Sequence, residues 1–183
     1  MSSYLSSVIK QFEYYKSLAD KTFDQLSFSE LNQTFQSEDN SIAIIAKHLA
    51  GNMLSRWTNF LEEDGEKSWR HRDSEFINDF ESNETLISYW EKGWNCLFHT
   101  LNNLSETQLE DTIYIRNQGH TVTEAINRQM IHYAYHVGQM VFIGKSIKGT
   151  DWQSLSIPKG NSEIYNSKKF GKSKARRHFT EDL

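Results

Sequence analysis

The chain has 183 residues, 24% of them charged and 13% aromatic, a length and composition that fit one packed domain and exclude disorder. Its 20 Lys/Arg stand against 24 Asp/Glu, and the net charge of −4 is uneven: residues 168–183 carry six basic and two acidic side chains, +4, which leaves −8 on residues 1–167. An acidic body excludes a general nucleic-acid binder, which needs a basic surface to displace counterions.

The first predicted element is a helix over residues 3–26, where Tyr4, Leu5, Val8, Ile9, Phe12, Tyr15, Leu18, Thr22 and Leu26 recur at three-to-four spacing. Ile42, Ile45, Leu49, Met53, Trp57 and Phe60 predict a second helix, with Asn40 or Ser41 as N-cap and Gly65 as the stop. About 18 residues follow, Asp64 to Ser82, too many for a tight antiparallel turn, and they predict a crossover connection. The third helix runs from Leu86 through Trp90, Trp94, Leu97 and Leu101 to Leu104, with Asn83 suited to cap it. Asp111–Gln118, with alternating Ile113 and Ile115, reads as a short extended stretch. The fourth helix opens on Thr121-Val-Thr-Glu124, a capping box, and continues through Ile126, Met130, Tyr133, Val137 and Met140 to about Lys145. After Gly149 the pattern fades into a polar tail, so the expected division is a helical bundle over residues 1–150 and a partly irregular extension over 151–183.

One proline, Pro158, leaves the long helices unbroken. A single cysteine, Cys96, forms no intrachain disulfide and reads as a buried, inert thiol. With no signal-peptide pattern and no apolar stretch long enough to cross a bilayer, the expected compartment is the cytoplasm, away from membranes. The basic run Lys168–Arg177 reads as a solvated tail.

The fourth helix carries His132-Tyr-Ala-Tyr-His136. Residues four apart share a helix face, and two such imidazoles can reach one ion at roughly 2.0–2.1 Å. His48 lies mid-way along the second helix between apolar neighbours, where a buried ring needs partners for both nitrogens. A hydrogen bond to a tyrosine or carbonyl would serve; so would a metal shared with His132 and His136, since bundles build metal sites from facing helices. Three neutral donors leave coordination positions open, the arrangement of a catalytic site.

Three stretches resemble the DinB/YfiT-like metalloproteins, in particular a Bacillus-type subgroup of unknown function: Ser41-Ile-Ala-Ile-Ile-Ala-Lys-His48-Leu-Ala-Gly-Asn-Met, Trp90-Glu-Lys-Gly-Trp94, and Glu124-Ala-Ile-Asn-Arg-Gln-Met-Ile-His132-Tyr-Ala-Tyr-His136-Val-Gly-Gln. Ser154-Leu-Ser-Ile-Pro-Lys-Gly160 is similar to the subgroup's tail. The resemblance implies an all-α, up-down-down-up four-helix bundle and a divalent ion, zinc or nickel, on His48, His132 and His136. It also implies a homodimer and, for some relatives, transfer of a low-molecular-weight thiol such as bacillithiol to a small-molecule substrate. A metal-dependent hydrolase and a non-catalytic, stress-associated metal-binding dimer are the alternatives.

Around the triad, Arg128 has two readings: it could hold an anionic substrate group in a two-pronged contact, or pair with Glu124 on the helix surface. Asn52 lies one turn after His48, on its side of the helix. Tyr135 and Gln139 are candidates to orient the imidazoles, whereas Tyr133 falls on the apolar repeat and reads as core. Arg70 and Arg72, in the crossover, could line a pocket mouth but read first as solvated loop residues, and Trp90 and Trp94 read as core or dimer interface. His71, His99, His120 and His178 have no partner at ligand spacing, although His120, just before the fourth helix, could reach the site from above.

Overall fold

The computed structural model describes residues 3–182. They form six α-helices, α1 (Ser3–Phe23), α2 (Phe28–Leu31), α3 (Ile42–Trp57), α4 (Asn83–Asn103), α5 (Val122–Lys148) and α6 (Ser162–Phe170), with one antiparallel pair of strands, β1 (Thr112–Ile115) and β2 (Gln118–Thr121). The protein is therefore mostly helical, with a very small sheet. Helix α3 packs on α4 and α5, and α1 packs on α5 and α4, so the four long helices share one core.

That core follows the apolar repeats. Leu5, Val8 and Phe12 meet Ile45, Leu49 and Met53 of α3, Trp90, Trp94 and Leu97 of α4, and Ile126, Val137 and Met140 of α5. At its centre the Phe12 ring lies 6.4 Å from Trp57, 6.3 Å from Trp94 and 5.9 Å from Tyr133, in edge-on and tilted arrangements that suit the ring quadrupoles. Trp90 and Trp94 are thus core residues. Tyr133 is fully buried, and its hydroxyl accepts from Trp57 Nε1 (3.1 Å) and donates to Asn52 Oδ1 (3.0 Å), so it belongs to the core rather than to the imidazoles. Helices α3 and α4 lie close together at Gly93, where a Cβ would stand 2.8 Å from the Ala50 Cα.

Several element ends differ from the sequence expectation, each for a local reason. Helix α1 stops at Phe23, because Ser27 and Glu30 form a capping box of their own and start the separate turn α2. Ser41 caps α3, which ends at Trp57; Asn59 follows with φ +46° and turns the chain before Gly65 is reached. Ser82, not Asn83, caps α4, through a reciprocal bond with Thr85. The predicted Thr121–Glu124 box does open α5.

The extended stretch is one arm of a hairpin. Ile113 and Ile115 point into the core while Thr112 and Tyr114 face outward. Its two-residue turn, Arg116-Asn117, has φ +56° and +59°, the left-handed pair that such hairpins require. Asp64 stabilises the turn by accepting both backbone N–H groups at 2.8 Å, and Gly65 N–H donates to Tyr114 O (2.8 Å). The crossover is likewise tied down: the buried Lys47 ammonium donates to Ser74 O (2.9 Å), Ile77 O (2.8 Å) and Asp79 Oδ1 (2.6 Å).

Beyond α5 the chain is polar but not wholly irregular. It includes α6, and a final 3₁₀ turn, Phe179–Asp182, returns to α1, where Phe179 meets Tyr14 at 5.5 Å and Lys10 pairs with Glu181. No described helix is long and apolar enough to cross a membrane.

Candidate metal centre and the cavity beside it

Helix α3 presents His48 and helix α5 presents His132 and His136 toward one another. The ring of His48 lies 5.5 Å from His132 and 5.2 Å from His136, and the α5 pair are 4.8 Å apart, each couple edge-on. One ring nitrogen from each histidine falls within 4.8 Å of the other two, a group that could hold a metal ion. His48 is 5% exposed; the other two are partly buried.

Hydrogen bonds orient two of these rings. His48 Nδ1 donates to Glu75 Oε2 (2.9 Å), and His136 Nδ1 donates to Gln139 Oε1 (2.8 Å), which leaves Nε2 of each ring for ligation. Phe76 stacks on His48 at 5.0 Å and completes its enclosure. Burial, with His136 and His48 close by and Arg56 and Arg70 beyond them, pushes His132 down to about 3. Burial also lowers His136, against the Gln139 bond that raises it. The neutral imidazole is the form that binds metal, so the chemistry of this donor set fits a divalent ion.

Glu75 is itself held from three sides. Arg70 donates to it in a fork, Nε to Oε1 (2.8 Å) and Nη2 to Oε2 (2.9 Å). Burial by itself would raise the Glu75 carboxyl, but the bonds from His48 and Arg70 outweigh it and keep the group below the usual range. The carboxylate also lies against the α3 backbone: a Cβ at Gly51 would stand 2.5 Å from Oε1 and 2.8 Å from Cδ. Glycine is needed there because the carboxylate occupies the space of a side chain.

Arg70 is therefore not a solvated loop residue: its side chain is 3% exposed. The ordered crossover carries it inward to Glu75 and to Glu66 (Nη1–Oε2, 3.2 Å). Arg72 stays at the surface, its guanidinium 4.9 Å from the Phe76 ring. Glu66 also accepts from Arg56 Nη1 (2.9 Å) and pairs with Arg116 (3.3 Å).

A cavity of about 240 Å³ opens beside the triad, with His48 and His132 in its wall. Helix α3 contributes His48, Asn52 and Arg56, at four-residue spacing, and α5 contributes Arg128, Gln129 and His132. Arg128 lines the cavity and its Nη1 donates to His120 Nε2 (3.1 Å), while Glu124 is engaged instead in the α5 capping box. His120 thus reaches the cavity rim through Arg128, while His71, His99 and His178 stay outside the group. Tyr135 is exposed, with its ring 5.0 Å from that of His136. Cys96 is half-buried, with Thr58 Oγ1 3.5 Å from its sulfur.

Reading the sequence alone missed Glu75, Gly51, Arg56, Gln129 and Arg116. Two signals were present. A glycine in a helix interior, three residues after His48, marks a close approach, and Asn52 and Arg56 continue a polar stripe from His48 along α3. Nothing local distinguishes Glu75 from the other acids of the crossover.

These features define a mostly helical protein whose buried imidazole cluster borders a cavity rich in arginine. Compared with known families, residues 1–161 match "Protein of unknown function (DUF1572)", and the chain belongs to that family. No curated protein and no solved structure matches it.

Proposed function

We propose that His48, His132 and His136 hold one divalent ion, zinc or nickel, and that the protein is a metal-dependent enzyme of the DinB type. The reaction we assign is transfer of a low-molecular-weight thiol, bacillithiol or a relative, to a small electrophile. The observation that carries this reading is the convergence of three imidazoles, two with Nδ1 already committed, of which His48 and His132 stand in the wall of a cavity. When bound, the ion supplies Lewis acidity that brings the pKa of a thiol or water toward neutrality.

The chain's own residues do the rest. Glu75 and Gln139 fix the ring orientations, and Arg128 helps to hold an anionic end of the substrate. A hydrolase is the second reading, supported by the polar wall of Asn52 and Gln129, which admits water. A non-catalytic, stress-associated metal protein would call for an enclosed ion, and the cavity at His48 and His132 favours catalysis instead. We take the four long helices as up-down-down-up and the protein as a homodimer. The exposed stripe of Ile131, Tyr135 and Phe142 on α5 supports the second point.

Two measurements test the reading. Tag-free protein should carry close to one zinc or nickel per chain by elemental analysis, and His48→Ala should lose it; unchanged metal content in the variant sinks the site. The metal-loaded protein should then accelerate conjugation of monochlorobimane to a thiol. If no thiol alters the rate, the transferase assignment fails.

A further inference from the structure

Five arginines, Arg56, Arg70, Arg72, Arg116 and Arg128, line the cavity beside the triad, and among the described residues no aspartate or glutamate lines it. They come from four parts of the chain: α3, the crossover, the hairpin turn and α5. Like charges brought together cost energy unless something neutralises them. The carboxylates that do so sit behind the wall. Glu66 serves Arg56, Arg70 and Arg116, and Glu75 serves Arg70. Asp64 lies behind the hairpin turn, and Asp73 meets Arg72 at 3.8 Å on the surface. Arg128 bonds to an imidazole nitrogen rather than to an acid.

Two further atoms of this wall point to a ligand. Arg56, 6% exposed, has its Nε without a hydrogen-bond partner, and Gln129, 4% exposed, has its Oε1 without one. Buried polar atoms left unpaired cost about 1–3 kcal/mol each, so native structures keep them where a ligand or water completes them. Arg56 offers an N–H. The Gln129 amide can turn to present a donor or an acceptor.

We infer that this cavity is the binding site for the oxyanionic group of the substrate, a carboxylate or a phosphate on a small molecule. The guanidinium forks match the paired oxygens of either group. The volume, about 240 Å³, lies below the roughly 300–1,000 Å³ that drug-sized ligands occupy, so the anion belongs to a small metabolite and not to a nucleotide or a nucleic-acid strand. On α3 the order His48, Asn52, Arg56 runs one turn at a time from the imidazoles to the cationic end. A substrate anchored at Arg56 and Arg128 therefore places its next atoms beside His48 and His132. Substrate turnover here rests on the reading of the triad as the reacting centre; anion binding itself needs no metal.

The test is calorimetric titration of the metal-free protein, at low ionic strength, with inorganic phosphate and separately with malonate. One saturable site is expected for at least one of the two, and the stronger binder identifies the headgroup. Arg72→Gln combined with Arg128→Gln, both away from the buried ion pairs of Glu66 and Glu75, should weaken that binding about tenfold or more. Arg176→Gln, in the C-terminal extension, should leave it unchanged. Absence of saturable binding for both anions overturns the inference, as does equal binding by the folded double variant, with folding checked by thermal unfolding. His136→Ala, which removes a triad imidazole that does not line the cavity, separates the two readings. Lost metal with retained phosphate or malonate binding supports both, whereas a wild type that binds the anion but no metal keeps the anion site and removes the metal centre.

Discussion

Single residues around His48 carry the most specific chemistry. The Glu75 carboxylate fixes the ring, Arg70 fixes the carboxylate, and Gly51 leaves room for both. Partners of this kind are usually worth 10–100-fold in metal affinity. Glu75→Gln should therefore weaken zinc binding by about 10–100-fold in a chelator competition, with His48, His132 and His136 all still present. Gly51→Ala tests the same point from the backbone side. A methyl placed 2.5 Å from Oε1 displaces a carboxylate that Arg70 and His48 hold on both oxygens. The variant should unfold with about 1–3 kcal/mol less stability, the usual cost of overpacking, and should lose metal affinity as well. A drop in stability with unchanged metal affinity would show that Glu75 does not act through His48.

Elements matter because the imidazoles come from two helices whose relative placement is set elsewhere. Helix α3 is pressed between α4 and α5, and at Gly93 the α4 backbone comes close against it. In Gly93→Ala the new methyl would meet the Ala50 Cα and carbonyl oxygen, backbone atoms that cannot turn aside. The two helices must separate, at about 1–3 kcal/mol, visible as a lower Tm. The crossover is the other deciding element. Its 3₁₀ turn at Arg72–Phe76 carries Glu75, and Lys47, the neighbour of His48, holds that segment through two carbonyls and Asp79. The sequence marks these residues only as a long connection between helices. Their order comes from contacts with α3, which no local pattern announces.

At the scale of the whole molecule, Glu66 joins α3, the crossover and the hairpin through Arg56, Arg70 and Arg116. Burial would raise its carboxyl, but the three guanidinium groups prevail and hold it below its ordinary 4.5. A depressed carboxyl contributes stability that is present above pH 4.5 and is lost as the pH falls through the folded value. Acid unfolding of the wild type should thus steepen below about pH 4.5, and Glu66→Gln, already without that contribution, should show a flatter acid limb in denaturant titrations. A metal held by the triad would also act on the whole fold, because an ion that binds only the folded chain stabilises it by mass action. At free metal about 100-fold above Kd the gain is about 2.7 kcal/mol, so chelation should lower the Tm, and re-addition of zinc or nickel should restore it. By itself the sequence determined the four long helices, though not α2, α6 or every helix end, since three-to-four apolar spacing and capping boxes are local, and it determined that His132 and His136 share a face, since four-residue spacing on a helix is geometry. Only the tertiary structure decided that His48 meets them, that Glu75 and Arg70 stand behind His48, and that five arginines share one cavity. Those residues are far apart along the chain, and burial and ion pairing between the folded segments bring them together.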